Sequence, residues 1–129
     1  MSNKDYIFVK VKAGILQKIY HKNISHIKAD GDYVRIYTEE KMHYIHFNLN
    51  QLHQCLPQDK FCRCHRSFVV NVDRIDVVED NCIYIDKHLI LIGEQFKAGL
   101  LKAINYIYHI TNKERAVDCT AKDNVLQYE

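Results

Sequence analysis

The stretch Phe61-Cys62-Arg63-Cys64-His65-Arg66-Ser67-Phe68-Val69-Val70-Asn71 sets two guanidinium groups, an imidazole, a hydroxyl and a carboxamide among residues that otherwise read as buried strand. Three of the chain's five arginines, Arg63, Arg66 and Arg74, lie in it or just beyond it. An arginine fork can donate two parallel hydrogen bonds to a phosphate, a carboxylate or the O6/N7 edge of guanine. Held on a rigid β framework, such groups suit an anionic partner with readable base edges. Ser67 is short enough to hold a phosphate oxygen through its hydroxyl or backbone N–H. Arg63, Lys97 and Lys102 are candidate phosphate partners; their contacts would fix register and make binding fall with salt. His65 divides evenly between a phosphate contact and a buried imidazole bonded to a neighbouring strand. Asn71 reads as structural, a short side chain capping the turn before Asp73.

Other chemistries fit less well. On a strand Cys62 and Cys64 share one face, and Arg63 and His65 the other. Cys-x-Cys is not zinc-knuckle spacing, and no second ligand pair lies at a matching offset, so packing of small apolar thiols is the better reading. His43 and His46 alternate faces and do not converge, so no metal site or cofactor is expected. No nucleophile elbow, Gly-rich phosphate loop or His-Glu-x-x-His helix occurs, which argues against an enzyme.

Short alternating runs separated by turn signals must position these groups. Strands are expected at Tyr6 to Val11, Ile15 to Tyr20, Ile24 to Ala29, Tyr33 to Thr38 and His43 to Phe47. In the fourth, Val34 and Ile36 share one face and Tyr33, Arg35 and Tyr37 the other. Asp30-Gly31-Asp32 is a strong turn, because Gly accepts positive φ and Asp bonds its own backbone. Asn48 can cap a short helix carrying Leu49, Leu52 and Leu56, which Pro57 stops. Further strands are expected at Phe61 to Cys64, Phe68 to Val72, Ile75 to Glu79, Cys82 to Ile85 and His88 to Ile92. A second helix over Glu94 to Ile110 would carry Phe96, Leu100, Ile104 and Ile107 or Tyr108 as its stripe. The expected domain is residues 1–110, with residues 111–129 a polar tail. The fold is mainly β, with one short and one C-terminal helix. No helix-turn-helix is present, so strands and loops would have to read any DNA.

Composition permits this. A chain of 129 residues is one ordinary domain, and 26 % charged with 47 % hydrophobic residues argues against disorder. A net charge of +2 neither requires nor excludes a nucleic acid, so local distribution must decide. Five irregularly spaced cysteines argue for reduced thiols in a cytoplasm. No apolar run has the length of a membrane span.

The motifs, taken in order, resemble the LytTR family of bacterial DNA-binding domains, found mostly at the C-terminus of response regulators. The resemblance covers roughly Tyr6 to Ile110. It begins with Phe8 to Val11 and continues through Ile24-Ser25-His26-Ile27-Lys28-Ala29-Asp30-Gly31-Asp32-Tyr33-Val34. It then takes in the Leu49 to Leu56 helix, the Phe61 to Asn71 signature, and Ile92-Gly93 opening the final helix. The family implies an elongated arrangement of small antiparallel sheets whose loops enter successive major grooves. It implies base contacts near Asp32 and Tyr33, at Arg66, and near Glu94 or Gln95. Tyr33 would set its ring and hydroxyl against a sugar-phosphate wall, although exposed tyrosines are also ordinary strand formers. Glu94-Gln95 departs from the basic and hydroxyl residues of many relatives. Glu can accept from cytosine N4 and Gln can pair with adenine, or this edge binds weakly. The implied function is double-stranded DNA binding at repeated promoter half-sites, two protomers per site, in a two-component system with a receiver domain or sensor kinase upstream. The other reading is a protein-interaction module on the same fold that has lost DNA affinity.

Overall fold

Alternation of apolar and polar residues builds the central sheet. In the computed structural model, which describes residues 4–106, β1 (Tyr6–Lys12) and β2 (Ile15–Tyr20) form a two-stranded hairpin. Gly14 takes the positive φ of its turn (+79°). β3 (Ile24–Asp30), β4 (Tyr33–Thr38) and β5 (Met42–His46) follow as a meander, with Gly31 at φ +62° between the first two. After α1 (Leu49–Gln54), β6 (Phe61–His65) and β7 (Phe68–Asn71) complete a five-stranded antiparallel sheet of order β5-β4-β3-β7-β6. β8 (Val77–Val78), β9 (Cys82–Ile85) and β10 (His88–Leu91) make a third, three-stranded sheet. α2 (Lys97–Ala103) follows a 3₁₀ turn at Glu94–Phe96 and packs on β6. The result is the expected mainly β fold of small antiparallel sheets with two short helices.

Two apolar cores flank the central sheet. Ile27, Val34, Ile36, Ile45 and Val69 face α1 and the hairpin, meeting Leu49, Leu52, Leu56, Phe61, Val9 and Ile19. Cys64, Val70, Ile83, Ile85, Ile90 and Leu100 form the second core beneath the three-stranded sheet and α2. Successive side chains of a strand point to opposite faces. Val69 and Val70 therefore serve different cores, and β7 is the wall between them. Cys62 and Cys64 both pack on the second core, as their shared face required. Burial pushes the Cys64 thiol up to about 12, so it behaves as a small apolar group.

Asn48 caps α1, its Oδ1 accepting from the Gln51 N–H at 3.0 Å. Asn71 does cap the turn before Asp73, whose N–H it accepts at 3.1 Å. Its Nδ2 also donates to the Ile24 carbonyl at 2.8 Å and the His21 carbonyl at 3.3 Å. Buried to 3 % exposure, it ties β7 to the start of β3. Asn71→Ala strands these partners and is expected to lower stability by about 2 kcal/mol, read from the denaturant midpoint. An unchanged midpoint would mean that the bonds contribute nothing net.

Several boundaries differ from expectation. Ile75 to Glu79 is ladder only at Val77–Val78, because Ile75 closes a 3₁₀ turn on the Val72 carbonyl. The strands expected to end at Val72 and Ile92 end at Asn71 and Leu91. The second helix does not run from Glu94 to Ile110. Its first residues form the 3₁₀ turn, and Ile104 is extended (φ −95°, ψ 154°), which lets its side chain reach the second core. Ile107, Tyr108 and the polar residues 111–129 lie outside the described residues.

Candidate nucleic-acid interface

The turn between β6 and β7 carries the signature's polar groups, and Arg63 braces it. A register shift between Arg63 and His65 breaks the strand alternation there. Arg63 turns towards α1, where Nη1 donates to Asn50 Oδ1 at 2.6 Å. Its Nε donates to the His65 carbonyl at 3.0 Å, and Nη2 donates to the Arg66 carbonyl. The guanidinium also lies 5.9 Å from the Phe96 ring. It thus holds the turn from both sides while touching α1 and the 3₁₀ turn.

His65 faces Phe68 and Gly93. Its Nδ1 accepts the Ser67 N–H at 3.0 Å, which places the ring proton of a neutral imidazole on Nε2. The Ser67 backbone N–H is therefore already used; its carbonyl accepts from Ala29 N at 2.8 Å. Gly93 donates to the Cys64 carbonyl at 2.8 Å, and a Cβ there would lie 3.1 Å from the Phe96 ring. A side chain there would press on the Phe96 ring, which would have to give by a few tenths of an ångström.

Arg66 is the exception in this bonded frame. Of the four arginines among the described residues, Arg35 pairs with Asp30 at 2.8 Å and Arg63 is braced as above. Arg74 joins Glu39, Asp86 and the Lys22 carbonyl at 3.1 to 3.4 Å. Arg66 stands exposed at the tip of the turn, and its guanidinium has no partner among the described residues.

Arg66 and Arg63 line an open groove of ≈ 550 Å³ with Asp32 and Tyr33 from the Gly-Asp turn and Asn50 from α1. Asp32 is exposed. Tyr33 is 37 % exposed, stacked on Tyr44 with centroids 4.5 Å apart and edge-on to His46. Tyr44 in turn lies 5.6 Å from the Arg35 guanidinium, which orients the aromatic group. Asn50 and Tyr44 went unnoticed in the sequence, and His46 was weighed there only as a metal ligand. Only the strand register, which sets Tyr33 opposite His46 and Arg35 opposite Tyr44, reveals the last two.

The remaining candidates lie outside this groove. Glu94 and Gln95 are exposed on the 3₁₀ turn, joined to the groove through Phe96 and Arg63. Lys97 pairs with Asp80 at 3.4 Å, and Lys102 is exposed on α2. No group of three His, Cys, Asp or Glu side chains among the described residues is placed to hold a metal ion. No helix among them is long and apolar enough to cross a membrane.

Comparison with known proteins agrees with this fold. A family model described as LytTr DNA-binding domain matches residues 16–105. Among solved structures, the chain is similar to the LytTr DNA-binding domain of a methyl-accepting/DNA response regulator from Bacillus cereus. The TM-score is 0.69 at 21 % identity, covering 81 % of this chain and 100 % of that one. No curated protein matches.

Proposed function

The chain belongs to the LytTR family of DNA-binding domains, and from that premise we propose that it reads double-stranded DNA through the β6–β7 turn, with Arg66 as its principal base-reading residue. The unpaired state of Arg66 carries this reading. Every other described arginine is bonded within the protein, whereas Arg66 is held out by a turn that Arg63 fixes from behind. With the backbone preformed, only the Arg66 side chain has to be ordered when its guanidinium meets guanine O6 and N7 in the major groove.

Tyr33 and Asp32 flank the same groove and would follow one backbone wall, with Glu94 or Gln95 reading a further base beside Phe96. The His65 Nε2–H and the Ser67 hydroxyl are free to donate to phosphate; Lys102 and, on leaving Asp80, Lys97 supply charge. Arg63 contributes chiefly by positioning, with its remaining N–H groups available to a phosphate. Two protomers on repeated half-sites of a promoter, controlled by a receiver domain in a bacterial cytoplasm, complete the reading. The response-regulator origin of the Bacillus cereus domain and the free thiols of Cys55, Cys62, Cys64 and Cys82 support that setting.

Salt dependence tests binding itself. Arg63, Lys97 and Lys102 on two protomers neutralise about six phosphates, so affinity is expected to fall roughly a thousandfold between about 50 and 200 mM salt. Fluorescence anisotropy with a labelled duplex measures the slope. Binding absent at low salt would favour the interaction-module reading.

A further inference from the structure

Two apolar β faces remain uncovered, and their charges are opposite. The outer face of the β1–β2 hairpin presents Tyr6, Phe8, Tyr20 and Leu16, brought together by the pairing of Tyr6 with Tyr20, Phe8 with Lys18 and Lys10 with Leu16. Phe8 is 52 % and Leu16 64 % exposed. Residues 6–22 contain four lysines and no carboxylate. Lys18 lies over the Tyr6 and Tyr20 rings at 4.7 and 5.2 Å, so cationic charge is part of the apolar face itself.

The three-stranded sheet is the counterpart. Pairing places Val77 and Leu89 beside Tyr84, and Leu91 beside Cys82, on its outer face. Leu89 is 54 % and Leu91 51 % exposed. Residues 76–91 contain four carboxylates against one lysine, Lys87. Asp80 and Asp86 have cationic neighbours at 3.4 Å, Lys97 and Arg74. Asp76 and Glu79 have none among the described residues. The hairpin rests on the first core and this sheet on the second, so they are separate surfaces.

We propose that these faces are the two halves of one interface, and that the hairpin of one protomer docks on the three-stranded sheet of a second copy of this chain. Apolar patches of this kind mark association sites, and two β faces pack with side chains interdigitated. Hairpin lysines meeting Asp76 and Glu79 select the unlike pairing, because hairpin against hairpin or sheet against sheet would juxtapose like charges. An interface of unlike patches is heterologous, suited to protomers set in a row. The contact does not depend on DNA recognition and forms in solution without it.

Complementation by two exposed-site variants tests the proposal in sedimentation at low salt. The wild-type chain is expected to rise with concentration from 15.3 kDa past twice that mass, because each added protomer leaves one hairpin and one sheet free. Leu16→Asp and Leu89→Asp, each with an unchanged circular dichroism spectrum, are each expected to stay monomeric. Their equimolar mixture forms a dimer and stops there, because each supplies the one face the other lacks. A wild-type chain monomeric at every concentration overturns the proposal. So does a single variant that associates as wild type, or a mixture that remains monomeric.

Discussion

Acidification from about pH 6.5 to about pH 3 is expected to remove on the order of 4 kcal/mol of folding stability through His26 alone. The ring is 3 % exposed, stacked on Tyr37 at 4.3 Å, with Nδ1 2.9 Å from Ser25 Oγ. Burial lowers its pKa from 6.5 to about 3, helped by His88, whose ring is 4.8 Å away, and by Lys28. In the unfolded chain the ring takes its proton near pH 6.5, in the folded chain only near pH 3. Between those values the unfolded state binds more protons, so stability is full above the window and falls as pH drops through it. Burial lowers His43 and His21 in the same direction and adds to the slope. Denaturant titrations across pH measure the effect. His26→Phe should keep a ring against Tyr37 and flatten this part of the acid limb; an identical limb in the variant would show that His26 is not its source.

Replacement of Arg66 by alanine is expected to remove discrimination at one base pair, about 1–3 kcal/mol, or up to roughly a hundredfold in relative affinity. No intramolecular bond of its side chain is lost, so the denaturant midpoint should not move. Lys102→Ala should instead weaken all sequences alike and lower the salt slope by about one contact. Loss of fold in Arg66→Ala, or equal weakening on every sequence, would contradict the assigned role.

Much of the fold was legible because most strands bury one face. Val34 and Ile36 alternate with Tyr33 and Arg35, and the structure places the first two in the core. Asn48 and Pro57 marked the limits of α1 through local chemistry alone. Ile75 to Glu79 was misread because its composition suits a strand, while its hydrogen bonds are set by the turn that Asn71 caps. Ile104 was misread because its spacing from Leu100 fits a helix; the second core instead takes it from extended backbone.

The site was legible at Arg66 and less so around it. Nothing in the sequence says that Arg63 reaches Asn50 across thirteen residues of chain or that Ser67 bonds His65. Those contacts depend on the register shift in β6 and on the packing of α1. The burial of His26 was equally hidden, since it comes from His88 of another sheet closing over the Tyr37 stack. Gly93 read as a helix opening, whereas it is the point where backbone meets His65 and Phe96.

Selection of random duplexes by the purified chain at moderate salt, with the retained DNA sequenced, tests base reading by Arg66. A short repeated motif containing a guanine is expected, its enrichment disappearing in Arg66→Ala. Retention without any motif, or a motif that Arg66→Ala preserves, would contradict it.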